Sequence, residues 1–132
     1  MKIAVVGAHL SGQPLNGQLI ERGAHLVRTA RTVNLYRLFA LANTTPPKPG
    51  LLRTDEPTAT GIEVEIWEVG PTEFATFVDM IPPPLGIGTL EMSDGEMVKG
   101  FLVESYAVAP GSGAKEITHL GGWRNYLQSL KT

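Results

Sequence analysis

The 132-residue chain has no cysteine, which removes disulfides, thiolate metal sites, iron–sulfur ligation and a cysteine nucleophile together. Charged residues make up only 18% of it and nearly cancel, with 11 Lys and Arg against 13 Asp and Glu. A general nucleic-acid binder, whose affinity rests on clustered cations, is excluded on that ground. Aromatics are sparse at 7%, and no apolar run approaches the ~20 residues that span a bilayer. The opening MKIAVVGAHL carries one Lys and a short apolar run, but Gly7, His9 and SGQ follow without a small-residue cleavage site. It reads as a buried strand rather than a signal peptide. Motifs of known chemistry are also missing. Gly7 to Gly12 begins like a phosphate loop, but Gln13-Pro14 stands where Lys-Ser or Lys-Thr must be, and no spaced glycine triplet, HExxH or GxSxG occurs. Three histidines far apart in sequence make a weak case for a metal.

What is present is a core and much punctuation. Hydrophobic residues are 42% of the chain, enough for one soluble, cytoplasmic domain over residues 1–132. Fifteen Gly and ten Pro impose short elements and many turns. Ile3 to Val6 suits a strand buried on both faces. Pro14 to Gly23 fits one short helix with Leu15, Leu19 and Ile20 on a shared face. Ala24 to Thr32 and Leu35 to Leu41 read as strands. Residues 42–50, ANTTPPKPG, read as a loop because their prolines lack donors. GIEVEIWEV alternates, setting Ile62, Val64 and Ile66 opposite Glu63, Glu65 and Trp67. A short helix follows Gly70, with Phe74, Phe77 and Val78 on one face. PPPLGIG, residues 82–88, reads as a stiff loop, Ser93-Asp94-Gly95 as a hairpin turn, and residues 97–108 as the longest strand. PGSGAKE reads as loop, and GGWRNYLQSL closes the chain as a helix. Six or seven strands with three short helices predict an α+β fold with a twisted sheet or partial barrel.

Position then singles out a few residues. The loop Gly7 to Gly12 joins a buried strand to a helix start, where unpaired backbone N–H groups favour anions. His9 lies in that loop and has a pKa suited to proton transfer; the alternative is a histidine that only packs. His25 and His119 read as surface residues. Glu63 and Glu65 could form a carboxylate pair, or could simply face solvent. Lys99, Arg31 and Arg37 are the cations that project from strands, and Tyr36, Tyr106 and Trp123 fit a core as well as a site. The glycines before Trp123 imply a close backbone approach by the last helix.

At GAHLSGQPLN the sequence resembles the C-terminal domain of allophanate hydrolase, and ERGAHLVRTARTVNLYRLFAL, TTPPKPGLLR, GIEVEIWEV, IPPPLGIGTLEMSDGEMVKGFL, ESYAV and GGWRNYL extend the match in order. That resemblance implies the gamma-glutamylcyclotransferase-like fold, a small mixed β-barrel with flanking short helices and a site at the loop after the first strand. Cyclotransferases carry an aromatic-Gly-Ser motif in that loop and a glutamate after the middle helix. Here the loop reads Val6-Gly7-Ala8-His9-Leu10, and the nearby acid, Asp79, does not match.

In the family, an amidase part removes the first ammonia from allophanate. The C-terminal domain is credited in some members with decarboxylating N-carboxycarbamate through a histidine of the first loop. The implied function is thus decarboxylation of N-carboxycarbamate, or of a related small dicarboxylate or carbamate, to CO2 and ammonia in urea degradation. His9 is the expected general acid. Gly7, Ala8, Leu10, Ser11, Gly12, Tyr36, Leu85, Gly86 and Lys99 are the expected substrate contacts, with the amides of Leu10 to Gly12 as carboxylate cradle and PPPLGIG as the opposite wall. No metal and no other cofactor is expected. The implied partners are the small anionic substrate, a separate amidase subunit and a second copy of the chain; nucleic acid and membrane are not. The initial Met ahead of the strand favours a free-standing protein. Two rivals stand beside this reading: a non-catalytic module that assembles a separate amidase, and a divergent gamma-glutamylcyclotransferase-like enzyme.

Overall fold

The computed structural model of the chain describes residues 1–131. Its elements run β1 (Lys2–Val5), α1 (Gly17–Ile20), β2 (His25–Arg31), β3 (Tyr36–Ala40), β4 (Pro49–Arg53), β5 (Glu63–Glu68), α2 (Pro71–Asp79), β6 (Leu85–Glu91), β7 (Met97–Val103), β8 (Lys115–Glu116) and α3 (Trp123–Ser129). The class is α+β, with a five-stranded mixed sheet in the order β2-β5-β1-β7-β6 and a three-stranded sheet in the order β4-β3-β8. β1 pairs antiparallel with β5 and parallel with β7.

β1 occupies the centre because its side chains allow nothing else. Ile3, Ala4 and Val5 are fully buried, as a strand apolar at consecutive positions requires. Gly100 of β7 lies opposite Ala4; a Cβ there would come within 2.8 Å of the Ala4 carbonyl oxygen, so only glycine lets the pair close to this distance. The outer strands of the same sheet meet at one corner. Thr32 bridges Met92, while Val33 N donates to Glu91 O at 3.0 Å and Ser93 N to Arg31 O at 2.8 Å. The second sheet joins the first where Gly50 of β4 packs on Val103 of β7.

Several elements differ from the sequence expectation, each for a local reason. The first helix is a single turn, Gly17–Ile20, and not ten residues. Pro14 cannot donate, and Asn16 turns its side chain back to donate to His9 O at 2.9 Å. Leu19 is buried while Ile20 is exposed, so they share no face. Pro49 and Gly50 belong to strand β4 and not to the preceding loop; β4 is an edge strand, where a missing donor is tolerated. Likewise β6 begins at Leu85, inside the segment expected to be loop. β7 stops at Val103, and residues 105–108 coil into a 3-10 turn, which makes it no longer than β2 or β6. The short strand β8 lies in the segment read as loop.

The corner where β2 and β6 meet yields a stability test. Thr32 is 1% exposed; its hydroxyl accepts from Ile62 N at 3.0 Å and donates to Val33 O at 2.8 Å. Thr32→Val keeps the shape but leaves a buried N–H and a carbonyl without that partner. Urea unfolding is expected to show a loss of about 1–3 kcal/mol, the cost of a buried unsatisfied group; an unchanged midpoint would contradict this role for the hydroxyl.

Candidate active site

His9 is held by burial and by stacking. Leu10 N donates to Gly7 O at 3.0 Å and Leu15 N to Ala8 O at 2.8 Å, which fixes the turn that follows β1. The His9 ring stacks on Phe101 of β7 with centroids 5.1 Å apart and meets the edge of Phe77 of α2 at 5.0 Å. Its Nε2 lies 2.7 Å from Gln18 Oε1. Burial lowers the His9 pKa below its usual value; the Gln18 hydrogen bond opposes the shift and the Lys48 charge adds to it. At pH 7 the free ring is therefore mostly neutral. With a carbonyl oxygen as partner, Nε2 carries the proton and Nδ1 is the nitrogen left to gain one.

This ring forms one wall of a cavity of about 220 Å3, lined also by Leu15, Gln18, Thr45, Pro46, Lys48, Phe77, Met80, Ile81, Pro82, Leu85 and Phe101. A smaller hollow of about 20 Å3 shares His9, Leu85 and Phe101 with it and adds Val6, Gly7, Ala8 and Pro49. Eight of these twelve lining residues are apolar, and the polar side chains are a histidine, an amide, a threonine and one cation. Among the described residues, no carboxylate lines the cavity. Asp79 is exposed, and Ile81 and Pro82 stand on the wall after the middle helix. Those two apolar residues, and not an acid, face the cavity from this segment. No group of three His, Cys, Asp or Glu among the described residues is placed to hold a metal ion.

The expected contacts divide into two sets. Gly7, Ala8, His9 and Leu85 come together around the two hollows. The N–H groups of Gly7, Ala8 and His9 find no acceptor among the described residues, whereas a donor buried in a folded protein is nearly always paired. Leu10, Ser11 and Gly12 lie elsewhere. Leu10 is core, and Ser11 donates its N–H and hydroxyl to Glu65 Oε1 at 2.8 and 3.1 Å. An internal carboxylate thus takes the place expected for a ligand's, and a one-turn α1 adds little dipole. Tyr36 is buried in the core, where its hydroxyl accepts from Glu91 N at 3.0 Å. Gly86 is exposed on β6 and Lys99 on β7, with Lys99 Nζ donating to Thr89 Oγ1 at 2.7 Å. Neither lines the His9 cavity. Of the wall expected from PPPLGIG, Pro82 and Leu85 are in place.

The cation of the site is Lys48, which the sequence reading passed over in favour of strand residues. Its signal lay in TPPKPG. Gly7 abuts Pro49 so closely that a Cβ would come within 2.2 Å of the proline Cδ, and this contact seats the Lys48 segment against the His9 loop. Arg37 is committed to Glu116 at 2.9 Å. Glu63 and Glu65 do share a face, on which Glu63 is half-buried and Glu65 is covered. Glu65 is 4% exposed, and burial alone would raise its pKa. Hydrogen bonds from Ser11, Trp67 and Arg124 outweigh that and hold the carboxyl below the usual range.

The model of the allophanate hydrolase C-terminal domain matches residues 1–128. Urea amidolyase of Lachancea kluyveri is 42% identical over 132 residues, which are 99% of this chain and 7% of that protein. The chain thus spans a small fraction of the curated relatives it matches. Allophanate hydrolase of Kluyveromyces lactis superposes with a TM-score of 0.92 at 40% identity, covering 98% of this chain and 21% of the other. An AIG2-like protein of Mus musculus, GGACT, superposes at 0.59 over 83% of this chain and 79% of its own at 22% identity, a likeness of fold.

Titration of His9 tests the cavity's electrostatics without any substrate. By NMR its midpoint is expected below ~6.5, the ordinary histidine value. Gln18→Leu removes the raising hydrogen bond and moves the midpoint further down; Lys48→Met removes a nearby positive charge and moves it up. Shifts of the opposite sign would mean that these side chains do not face the ring as described.

Proposed function

We propose, because this chain belongs to the allophanate hydrolase C-terminal domain family, that the His9 cavity takes a small dianion and releases CO2 from N-carboxycarbamate or a related carbamate. The observation that carries this reading is that His9 stands between two adjoining hollows, one lined by Lys48 and the other by the Gly7–Ala8 turn. The Lys48 ammonium can pair one carboxylate and the turn's amides can hold the other. Apolar walls favour decarboxylation, since they disfavour a concentrated carboxylate charge and accept neutral CO2.

The step balances with one proton. The C–N bond breaks, its electron pair stays on nitrogen, and the His9 imidazolium gives that nitrogen its proton. The products are CO2, carbamate and neutral imidazole; carbamate then takes a proton from water and loses its own CO2 to give ammonia. His9 must be protonated to act, although burial and Lys48 hold the free ring neutral. The arriving dianion reverses this, because negative charge nearby raises a histidine pKa. The site thus gains its acid when the substrate binds. Spontaneous loss of CO2 is already easy, so the ~10²–10⁴-fold contributed by one acid group is sufficient.

A second reading rests on length. The chain matches only 7% of a urea amidolyase, so a module that docks on an amidase unit is the non-catalytic alternative. Feeding N-carboxycarbamate, made in place by an amidase lacking this domain, separates the two. The decarboxylase reading expects CO2 release above the spontaneous rate, falling by ~10²-fold or more in His9→Asn. Lys48→Met is expected to raise KM about tenfold or more, the worth of a charge-assisted hydrogen bond. No acceleration by the wild-type protein leaves the assembly module. Acceleration that His9→Asn retains would keep the enzyme and remove this acid.

A further inference from the structure

The GGWR stretch of the chain's end and the buried Glu65 take no part in the chemistry above, yet they converge on the loop that carries His9. Arg124, on the first turn of α3, donates through Nη2 to Glu65 Oε2 at 3.0 Å and to Ser11 O at 2.9 Å. Glu65 Oε1 receives Ser11 N at 2.8 Å, Ser11 Oγ at 3.1 Å and Trp67 Nε1 at 3.2 Å. Both backbone polar groups of Ser11 are thereby engaged, two residues beyond His9. α3 itself is set in register by the two glycines before it. Gly121 O accepts from Glu63 N at 2.9 Å, and Gly122 lies so close that a Cβ would be 3.2 Å from the Glu63 Cβ.

We propose that Glu65 and Arg124 are positioning residues for the His9 loop, so that the C-terminal helix holds the catalytic histidine in its stack against Phe101 and Phe77. Three features favour this over a plain structural ion pair. The Arg124 nitrogen that meets Glu65 also donates to the Ser11 carbonyl at 2.9 Å, so the pair is at the same time a tie to the loop's backbone. Glu65 points at the loop's backbone, where it fixes a chain direction and not a side-chain surface. The loop's other ties, Leu10 N on Gly7 O, Leu15 N on Ala8 O, Gln13 N on Leu10 O and Asn16 on His9 O, engage its other residues, whereas the bonds to Ser11 itself come from Glu65 and Arg124. A lost anchor lets the loop shift and opens the His9 ring to water.

The proposal rests on the decarboxylase reading only for its rate arm; the ring's own resonances test it without turnover. Arg124→Ala, Arg124→Lys and Glu65→Gln are followed by NMR of the histidine rings at several pH values and by thermal unfolding. In Arg124→Ala and Glu65→Gln the His9 ring proton is expected to lose its aromatic ring-current shift. Its titration midpoint should rise towards ~6.5, and Arg124→Lys should return part of both changes. His25 and His119, on the surface and away from the loop, should not move. Where turnover is measurable, kcat should fall by up to ~10²-fold, the order expected of a misplacement near 1 Å. If Tm falls while the His9 resonance and midpoint stay as in the wild type, the network is structural only and the proposal fails. If Glu65→Gln does not fold, the two Arg124 variants decide by the same readings. A wild type without turnover overturns the decarboxylase reading and leaves this test intact.

Discussion

A carboxylate buried beneath a backbone turn is the constraint on which the site depends. Glu65 lies on β5, immediately beside β1, and β1 ends where the His9 loop begins. Burial of an ionised carboxyl is costly unless its oxygens are filled with donors. The donors available are the N–H and hydroxyl of Ser11, the indole of Trp67 and the guanidinium of Arg124. Satisfying Glu65 therefore fixes the far end of the loop and draws α3 down upon it. At the near end Gly7 meets Pro49, and that contact brings the next strand's leading lysine to the cavity. Two packing demands, one polar and one steric, thus place His9 and Lys48 on one hollow although they stand 39 positions apart in sequence.

The chemistry follows from what this arrangement does to a histidine. Burial among two phenylalanine rings, with a lysine nearby, holds the imidazole pKa below its ordinary value. An acid prepared in that way is charged by its substrate and not by the solvent. The same apolar walls that lower the His9 pKa suit a reaction that destroys a carboxylate. On the function proposed above, a dicarboxylate would be told from a monocarboxylate because Lys48 and the turn's amides would each need a carboxylate to hold.

Much of this was legible in the chain, and the failures have identifiable causes. The central strand was readable from IAVV, α2 from the spacing of Phe74 and Phe77, and the hairpin from Ser93-Asp94-Gly95, because each is set by local periodicity or turn chemistry. The face of β5 was not. Alternating Glu63, Glu65 and Trp67 look like a wet face, yet Glu65 is met there by Ser11 and by Arg124 of α3, some sixty residues later. His9, Gly7 and Ala8 line hollows next to the first strand, where a loop between a buried strand and a helix start is readable from the sequence. The cradle was misplaced towards Ser11 because a sequence cannot show that an internal carboxylate already holds those donors. Lys48 was missed because prolines signal a loop without saying what the loop faces.

Malonate, a stable dianion with the two carboxylates of N-carboxycarbamate but no nitrogen, gives the most direct test that the cavity charges its histidine on binding. Titrating malonate into the wild-type protein while following the His9 ring by NMR reads occupancy and protonation together. The account predicts saturable shifts at His9 with its midpoint rising on binding and a raised Tm, both lost in Lys48→Met. A His9 midpoint that millimolar malonate leaves where it was, with Tm unchanged, would contradict it.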